Sequence, residues 1–485
     1  MPHSAEIASE LLLPIGSEWV RTEKTDTILL PYDGAPVSEV AQGSPALIAQ
    51  AARAARKAAA ILENWSNYER AEFLDRLAGL LRRDHGAFAS AISLETGKPI
   101  SEARVEVDRS LQTLLASSIA ARGLHGEVIP IDGAVIGAGR LAMTIRQPLG
   151  VVGMITPFNV PLNLTLHKLG PALAGGNAVV HKPSEQTPLS ALKLAGIVQE
   201  AGAPAGTYNV VTGPGETVGR ALVECPEVDM ITFTGSVETG RAIRAIAGLK
   251  KVTLELGGNS AVIIEPDADL DAAVTRVVQG GYGLSGQVCI SVQRVYAHED
   301  VVEAFREKLV SAVEKLRIGH PAEDSTQIAS LISEEAAVRV ENWTREAVSA
   351  GAKILTGGER TRATIRPGVL AEAPESSNFM QQELFGPLVA VNRYANLDDA
   401  VARVNATPYG LQAGIYTNHL QRAFQAARKL RVGGVLINDV PAFRADHMPY
   451  GGTKNSGIGR EGPQYAVEEM TELKMICWKV SEPKP

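Results

Sequence analysis

The strongest constraint on the fold is a regular alternation of short apolar runs with helical segments. The runs are rich in β-branched residues, and segments with the helical spacing of apolar residues fill the gaps between them. The first series comprises GVVGMIT (150–156), NAVVHKP (177–183), YNVVTG (208–213), DMITFTG (229–235) and KVTLELG (251–257). Strands separated by helices predict βαβ units and a parallel sheet. The near absence of polar alternation within the runs is typical of a sheet covered on both faces.

A second series of the same kind follows the first. It comprises SAVIIE (260–265), RVYAHE (294–299), LVAVNRY (388–394), AGIYTN (413–418) and GGVLIN (433–438). Both series are preceded by the Ala-rich stretch 45–122, which shows the apolar periodicity of amphipathic helices. The predicted fold class is therefore α/β.

Two segments depart from this rhythm. Residues 125–149 carry glycine and proline among alternating apolar residues, which predicts a hairpin. Residues 472–480, ELKMICWKV, alternate like a lone strand. A lone strand needs a partner, and we expect either the 125–149 hairpin or another subunit to provide it.

Length and composition narrow the class of protein. A chain of 485 residues is too long to fold around a single hydrophobic core, so two or three domains are expected. The net charge of −7 and the lack of a basic run argue against a nucleic-acid partner. We expect neither a signal peptide nor a membrane span, because the N-terminal apolar run is short and no long uncharged stretch occurs.

Cysteine and histidine usage gives a further expectation. The cysteines Cys225, Cys289 and Cys477 are widely spaced, so they form neither a disulfide framework nor a CxxC metal motif. A reducing cytoplasm fits this usage. The sequence has no HExxH motif and no dense cluster with ligand spacing, so no metal is expected.

Cys289 lies within GLSGQVCISVQR (283–294), a glycine-rich turn in which it is expected to be accessible. Thiolate is the reactive form of cysteine, and its pKa must usually be lowered to populate it near neutral pH. Arg294 is the nearest basic residue in the segment, five positions away. An isolated cysteine is more often a small core residue. Gly286 and Gln287 favour the functional interpretation, because glycine here indicates close approach of a ligand.

Glu255 ends the apolar strand KVTLELGGNS and precedes two glycines. A carboxylate at the end of a buried strand is costly unless it is hydrogen-bonded or functional. Desolvation would raise its pKa towards that of a general base. The alternative is a capping role in the turn.

Polar residues follow several strands of the first series, and ligands bind beyond the carboxyl ends of such strands. Asn159 in ITPFNVP could donate its amide to an oxyanion, or it could form an Asx turn before Pro161. Gly235 and Ser236 lie at a strand-to-helix junction that could bind an anion. Their FTGS segment lacks the GxGxxG spacing of the usual dinucleotide motif.

Taken together, these segments resemble the aldehyde dehydrogenase superfamily. They occur in the order and at the spacings of that family, and the resemblance covers nearly the whole chain. The matching segments are residues 155–191, FTGSVETG (233–240), LELGGNS (254–260), GQVC (286–289), QELFGP (382–387) and PYGGTKNSGIGREG (449–462). PLNLTLHK and FRADHMPYGG are most similar to the branch that contains lactaldehyde and related small-aldehyde dehydrogenases.

The resemblance implies a catalytic role for three residues. Cys289 matches the nucleophile, whose thiolate attacks the aldehyde to give a thiohemiacetal. The Asn159 side chain and the Cys289 backbone N–H match the groups that hold the oxyanion. Hydride transfer to the nicotinamide would leave a thioester, and Glu255 matches the base that activates water to hydrolyse it.

The resemblance also implies a nicotinamide cofactor. Lys182 and Glu185 match residues that bind the adenosine ribose, and a carboxylate there repels a 2′-phosphate, so NAD is favoured over NADP although some relatives use both. Gly235 and Ser236 match the pyrophosphate site. Glu383 and Phe385 match the residues that hold the nicotinamide ribose and ring. The other implied cofactor-binding residues are Thr156, Pro157, Phe158, Ser184, Gly215, Phe233, Thr239, Leu256 and Gly257.

The family pattern implies a Rossmann-like cofactor domain over 1–124 and 148–256. It implies an α/β catalytic domain over 257–462 and a small β oligomerisation element over 125–147 and 463–485. A homodimer or homotetramer is therefore expected.

The substrate pocket is implied less directly. Arg109 and Arg444 match positions that some relatives use to bind an anionic group, although either could be a surface salt-bridge arginine. Relatives that bind strongly anionic groups carry His or Arg where this chain has Val160 and Val288. Leu162, Ile290 and Phe443 would complete a partly apolar pocket.

These features favour a small hydroxy- or oxo-substituted aldehyde. Two alternatives are a CoA-acylating dehydrogenase and an inactive binding or structural relative. The retained Glu255 argues against the first, and the complete set Cys289, Glu255 and Asn159 argues against the second.

Overall fold

The computed structural model describes residues 8–480. Its helices are α1 (Pro45–Leu62), α2 (Asn67–Arg83), α3 (His85–Thr96), α4 (Ile100–Gly123), α5 (Pro161–Ala174), α6 (Leu189–Glu200), α7 (Arg220–Glu224), α8 (Val237–Ile246), α9 (Leu270–Tyr282), α10 (Val302–Val313), α11 (Glu334–Ser349), α12 (Asn378–Gln381), α13 (Leu397–Asn405), α14 (Leu420–Lys429) and α15 (Pro463–Glu469).

The strands are short, as expected for α/β architecture. They are β1 (Ala8–Leu11), β2 (Leu13–Ile15), β3 (Glu18–Val20), β4 (Thr25–Leu29), β5 (Pro36–Ala41), β6 (Val128–Ile129), β7 (Arg140–Pro148), β8 (Val151–Ile155), β9 (Ala178–Lys182), β10 (Tyr208–Val210), β11 (Met230–Thr234), β12 (Lys251–Glu255), β13 (Ser260–Ile264), β14 (Val292–His298), β15 (Lys353–Thr356), β16 (Arg360–Thr361), β17 (Thr364–Ile365), β18 (Gly368–Ala371), β19 (Leu388–Tyr394), β20 (Gln412–Tyr416), β21 (Gly434–Ile437), β22 (Gly457–Ile458) and β23 (Thr471–Lys479).

The first sheet has the strand order β10-β9-β8-β11-β12-β22. Its first five strands are parallel, which confirms the predicted sheet, and β22 joins its edge antiparallel to β12. Because the strands are parallel, their carboxyl ends meet at one edge. That edge carries the polar segments 156–159, 182–185, 235–236 and 255–258, so the topology brings the sequence-predicted site residues together.

The second sheet has the order β15-β18-β19-β14-β13-β20-β21, parallel except for β15. Its five predicted strands are confirmed, whereas β15 and β18 were not predicted. Both faces are covered. Ala261 and Ile263 of β13 pack in one core cluster, and Val262 and Ile264 pack in another. Burial on both faces explains why the sequence of this strand shows no polar alternation.

The third sheet is antiparallel, with the order β23-β7-β6. The terminal strand β23 pairs with β7 along its full length, from Thr471 opposite Pro148 to Lys479 opposite Arg140. The predicted hairpin is therefore present in β6 and β7, and it is a partner of the last strand within the same chain.

The helical region packs on the first sheet. The helices α1, α2, α4 and α5 share one core cluster with β8 and β9, which confirms the helical prediction for 45–122. Helix α2 begins at a capping box in which Ser66 and Glu69 satisfy each other's backbone N–H groups. No helix within residues 8–480 is long and apolar enough to cross a membrane.

Candidate active site

A cavity of about 830 Å³ lies at the carboxyl edge of the first sheet. The segment after β8 and the carboxyl ends of β11 and β12 form one side, and the segments around 289 and 383 form the other. The sequence-predicted residues that line it are Pro157, Phe158, Asn159, Gly235, Ser236, Glu255, Leu256, Gly257, Cys289, Glu383 and Phe385. One cavity therefore contains a thiol, a carboxyl group and a carboxamide, together with most of the predicted cofactor positions.

The turn before Cys289 is held in an unusual backbone conformation. Leu284, Ser285 and Gly286 all have positive φ, at 54°, 53° and 75°. Such angles are uncommon outside glycine and persist where surrounding contacts enforce them. Here the Glu102 carboxylate accepts the Leu284 N–H at 2.9 Å, and Gln287 Oε1 accepts the Ile332 N–H at 2.9 Å.

Cys289 is less exposed than the sequence predicts. Cys289 is half-buried, and it lines the cavity. Sγ lies 2.9 Å from the Tyr450 hydroxyl. Burial raises the pKa of the thiol to about 12; the Tyr450 hydrogen bond lowers it, Glu383 raises it, Arg444 lowers it and Glu255 raises it. The groups that favour the thiolate are therefore Tyr450 and Arg444, and neither is a histidine.

Asn159 is fixed by contacts on both its side chain and its backbone. Its Nδ2 donates to the backbone oxygen of Gln287 at 2.8 Å, which ties the amide to the cysteine turn. Its backbone oxygen accepts from Lys98 Nζ at 2.8 Å. Lys98 in turn pairs with Glu106 of α4, and both side chains are 3% exposed. Glu106 Oε1 accepts the N–H of Leu162 at 2.8 Å at the start of α5, so one buried ion pair holds the whole 159–162 segment.

Glu255 ends β12 as predicted and is buried. Burial raises the pKa of its carboxyl well above the ordinary value, and the nearby charge of Glu461 adds to this effect. Lys168 and Arg444 act in the opposite direction. They also pair with Glu461, at 2.7 Å and 2.8 Å. Glu255 is thus a carboxyl group that is easily protonated, and it lies beside the ion pairs that Glu461 forms with Lys168 and Arg444.

A second group of predicted cofactor residues lies at the ends of β9 and β10. Glu185 Oε1 accepts the Gly215 N–H at 2.8 Å and lies 3.7 Å from Lys182 Nζ. Burial lowers the pKa of Lys182. The carboxylate and the ammonium group form a polar pair close to a backbone turn, an arrangement suited to binding hydroxyl groups.

The nicotinamide end predicted from the sequence also has a defined geometry. Glu383 Oε1 accepts the Gly258 N–H at 3.0 Å, and burial raises the pKa of this carboxyl to about 7. A Cβ at Gly257 would lie 2.5 Å from Glu383 Oε2, so a side chain there would displace the Glu383 carboxylate. The Phe385 ring packs edge-on against Phe158 at 5.9 Å.

Helix α8 begins in the same cavity with Ser236 as its N-cap, accepting the Thr239 N–H at 3.2 Å. The first N–H groups of a helix have no partner inside it and bind anions. These features fit a dinucleotide. The predicted cofactor residues that do not line the cavity are Thr156, Lys182, Ser184, Glu185, Gly215, Phe233 and Thr239.

A second cavity of about 420 Å³ lies on the other side of the cysteine turn. Arg109, Val160, Val288 and Ile290 line it. The Arg109 guanidinium makes two hydrogen bonds to Asp446, at 2.8 Å and 3.2 Å, and its side chain is 35% exposed.

The other three predicted substrate residues do not line this second cavity. Leu162 is buried and Phe443 is exposed. The Arg444 side chain is only 7% exposed and is paired with Glu461.

Comparison with known proteins decides the family. The sequence model of the Aldehyde dehydrogenase family matches residues 19–476. The chain belongs to the aldehyde dehydrogenase family. It is similar to 3-sulfolactaldehyde dehydrogenase of Priestia aryabhattai, with 46% identity over 96% of this chain and 97% of that protein. It is also similar to lactaldehyde dehydrogenase of Methanococcus maripaludis, with 40% identity over 95% of this chain and 98% of that protein.

A solved structure agrees. The crystal structure of aldehyde dehydrogenase 21 from Physcomitrella patens, in complex with the reaction product succinate, matches with a TM-score of 0.95 and 38% identity. The match covers 97% of this chain and 98% of that chain. As an aldehyde dehydrogenase, the protein is an oxidoreductase that converts a small aldehyde to its acid with NAD(P).

Sequence reasoning missed several residues of this aldehyde dehydrogenase site. Tyr450, Glu461 and Lys168 lie inside the matching segments, but nothing local marks them as functional. The only sequence feature that could have indicated Lys98 and Glu106 is that they are charged residues among the apolar positions of a predicted helical segment. Each of these residues acquires a role through a partner distant in sequence.

Proposed function

We propose that Cys289 is the nucleophile of this aldehyde dehydrogenase, that Asn159 holds the oxyanion and that Glu255 activates water. The observation that carries the proposal is the single cavity lined by all three residues. Burial raises the pKa of the Glu255 carboxyl, which makes its ionised form a stronger base towards water.

The chain's own groups carry the reaction as follows. The Cys289 thiolate forms a bond to the aldehyde carbon, and the carbonyl oxygen becomes an oxyanion. Asn159 Nδ2 and the Cys289 backbone N–H donate to that oxygen; losing one such donor costs on the order of a hundredfold in rate. The nicotinamide, when bound, would accept the hydride from that carbon, and the oxyanion would collapse to the carbonyl of a Cys289 thioester. Glu255 then takes a proton from water, whose oxygen attacks the thioester carbon and releases the thiolate of Cys289.

We propose NAD as the preferred cofactor. The support is Glu185, whose carboxylate lies beside Lys182 and the Gly215 N–H. A carboxylate accepts hydrogen bonds from two ribose hydroxyls, whereas it repels a 2′-phosphate. The test is kcat/KM with NAD against NADP, and a preference for NADP would contradict the proposal.

We propose a short hydroxy-aldehyde as substrate. The second cavity is small, with an apolar wall of Val160, Val288 and Ile290 and with Arg109 as its polar group. Asp446 offsets much of the Arg109 charge, so the site favours a hydroxyl or one weakly held anionic group over a strongly anionic substrate. The relative named for lactaldehyde supports this class, whereas 3-sulfolactaldehyde, for which another relative is named, carries a hydroxyl and in addition a sulfonate.

Three further expectations belong to the same proposal. The chain divides into cofactor, catalytic and oligomerisation parts at the boundaries given above. It assembles as a dimer or tetramer through the β7–β23 sheet, which keeps Leu473, Met475 and Trp478 exposed in the single chain. It works in the cytoplasm, in keeping with three unpaired cysteines.

The test is NADH formation across an aldehyde panel that includes lactaldehyde, 3-sulfolactaldehyde and succinate semialdehyde. Cys289→Ala should abolish turnover. Glu255→Gln should give a burst of NADH followed by slow turnover, because deacylation stalls. Wild-type turnover in Cys289→Ala would contradict the mechanism, and a requirement for added CoA would contradict the hydrolytic step.

A further inference from the structure

Tyr450 is held rigidly beside the sulfur of Cys289. It lies in the segment between β21 and β22 and is 2% exposed. Its backbone pairs with that of Glu461 through two hydrogen bonds, of 3.0 Å and 2.7 Å. Its hydroxyl lies 2.9 Å from Cys289 Sγ. The side chain therefore meets the reacting atom from a fixed backbone position.

A cation covers the ring of Tyr450. The Arg444 guanidinium lies 3.7 Å from the ring centroid, and its Nη2 donates to Glu461 Oε2 at 2.8 Å. A guanidinium over an aromatic face is attracted to its electron density. Withdrawal of that density strengthens the phenol as a hydrogen-bond donor. Arg444 is thus arranged to act on Tyr450, and its carboxylate partner keeps it in place.

We propose that the Tyr450 hydroxyl is a catalytic hydrogen-bond donor to the Cys289 thiolate and that Arg444 positions and polarises it. The assignment rests on the proposed role of Cys289 as nucleophile. A thiolate has no proton to give, so the contact requires the phenol to donate once Cys289 is ionised. The phenol keeps its proton throughout, because burial holds the pKa of Tyr450 well above its ordinary value.

The charges around Cys289 explain why such a donor is needed. Glu255 at the end of β12 and Glu383 after α12 both disfavour a thiolate, as does burial. Arg444 and Tyr450, from the segment after β21, favour it. Of these groups, Tyr450 is the one that contacts the sulfur directly.

The experiment compares wild type with Tyr450→Phe, which keeps the ring and its stacking with Arg444 and deletes the hydroxyl. Alkylation of Cys289 by iodoacetamide is followed by mass spectrometry as a function of pH, since the rate reports the thiolate fraction. A hydrogen bond to a charged group predicts a rate lower by roughly 10- to 100-fold at each pH below the thiol midpoint. We expect kcat/KM for the aldehyde to fall in parallel and the pH profile to move to higher pH.

Two controls make the result specific. Tyr465→Phe deletes the hydroxyl of an exposed tyrosine on α15, and it should leave the alkylation profile unchanged. Thermal unfolding of each variant establishes that it is folded.

A second variant tests Arg444. Arg444→Lys keeps a positive charge for Glu461 and removes the plane over the ring, so it should slow alkylation in the same direction but by a smaller factor. If Tyr450→Phe or Arg444→Lys folds and its alkylation rate varies with pH as in the wild type, the proposal is overturned.

Failure of the proposed function gives a different result. If Cys289→Ser retains turnover, Cys289 is not the nucleophile and the proposed function itself is wrong. If Cys289→Ser is inactive while Tyr450→Phe alkylates like wild type, only the role of Tyr450 is wrong.

Discussion

Removing Lys98 should destabilise the protein strongly, because Lys98 and Glu106 form a buried ion pair beneath the active site. Both side chains are 3% exposed. Lys98→Met leaves the Glu106 charge without its counterion and the Asn159 carbonyl without its donor. Breaking one side of a buried pair typically costs about 3–5 kcal/mol. We expect the free energy of unfolding to fall by about this amount.

The double variant Lys98→Met with Glu106→Gln distinguishes the effect of the ion pair on stability from the effect of lost packing. Glutamine keeps an oxygen that can accept the Leu162 N–H, and no unpaired charge remains. The double variant should therefore be more stable than the sum of the two single effects predicts, by about 1–3 kcal/mol. Urea unfolding followed by circular dichroism measures all four proteins of the cycle.

The same variants test whether the pair positions Asn159. In Lys98→Met, kcat should fall more than KM rises, because the displaced amide stabilises the oxyanion and not the bound aldehyde. The matched control is Lys308→Met, which breaks the exposed pair with Asp271 and should change stability by less than about 1 kcal/mol. Strict additivity in the cycle, or a Lys98→Met cost as small as that of Lys308→Met, would refute the reasoning.

Two further predictions concern the cysteine turn and a buried acid. In Gly286→Ala the new Cβ would lie 2.1 Å from the Gly386 oxygen, and the φ of +75° at residue 286 disfavours any residue but glycine. This variant should therefore unfold at a much lower temperature than the wild type. The control is Gly283→Ala, because a Cβ at residue 283 has room. Burial raises the pKa of Glu95 to about 8 from an ordinary 4.5, so its neutral form stabilises the fold fully below pH 4.5, and that stabilisation is lost as pH rises through 8. Relative to Glu95→Gln, the wild-type unfolding temperature should therefore fall across this interval, and a difference that does not vary with pH would contradict the assignment.

The strands of both parallel sheets could be predicted from the sequence, because the pattern of apolar residues is local. A run such as 260–265 is apolar throughout because its two faces enter different core clusters. The strands β4 and β15 escaped prediction, since they are short and partly exposed, and exposed strands carry a weaker apolar pattern. The parallel topology then placed Asn159 and Glu255 at one edge of the first sheet, as the strand-end argument requires.

The electrostatic state of the site could not be predicted in the same way. Cys289 is predicted to be accessible, but residues remote in sequence, such as Tyr450 at 161 positions away, half-bury it, and this burial raises the pKa of its thiol. The sequence predicts that Arg444 binds substrate, but in the folded protein its side chain is buried and pairs with Glu461. Desolvation and Coulomb interactions depend on distances between segments remote in sequence.

The sequence by itself determined the α/β class, the order of the strands along the chain and, through the motif segments, the family to which the chain belongs. The tertiary structure alone decided which groups surround the thiol, which carboxyl group is buried next to it and what holds Asn159 in place. Periodicity and turn chemistry act over a few residues and can be recognised in a linear pattern. Burial and charge pairing join residues as far apart as Lys98 and Asn159, and they exist only once the chain has folded.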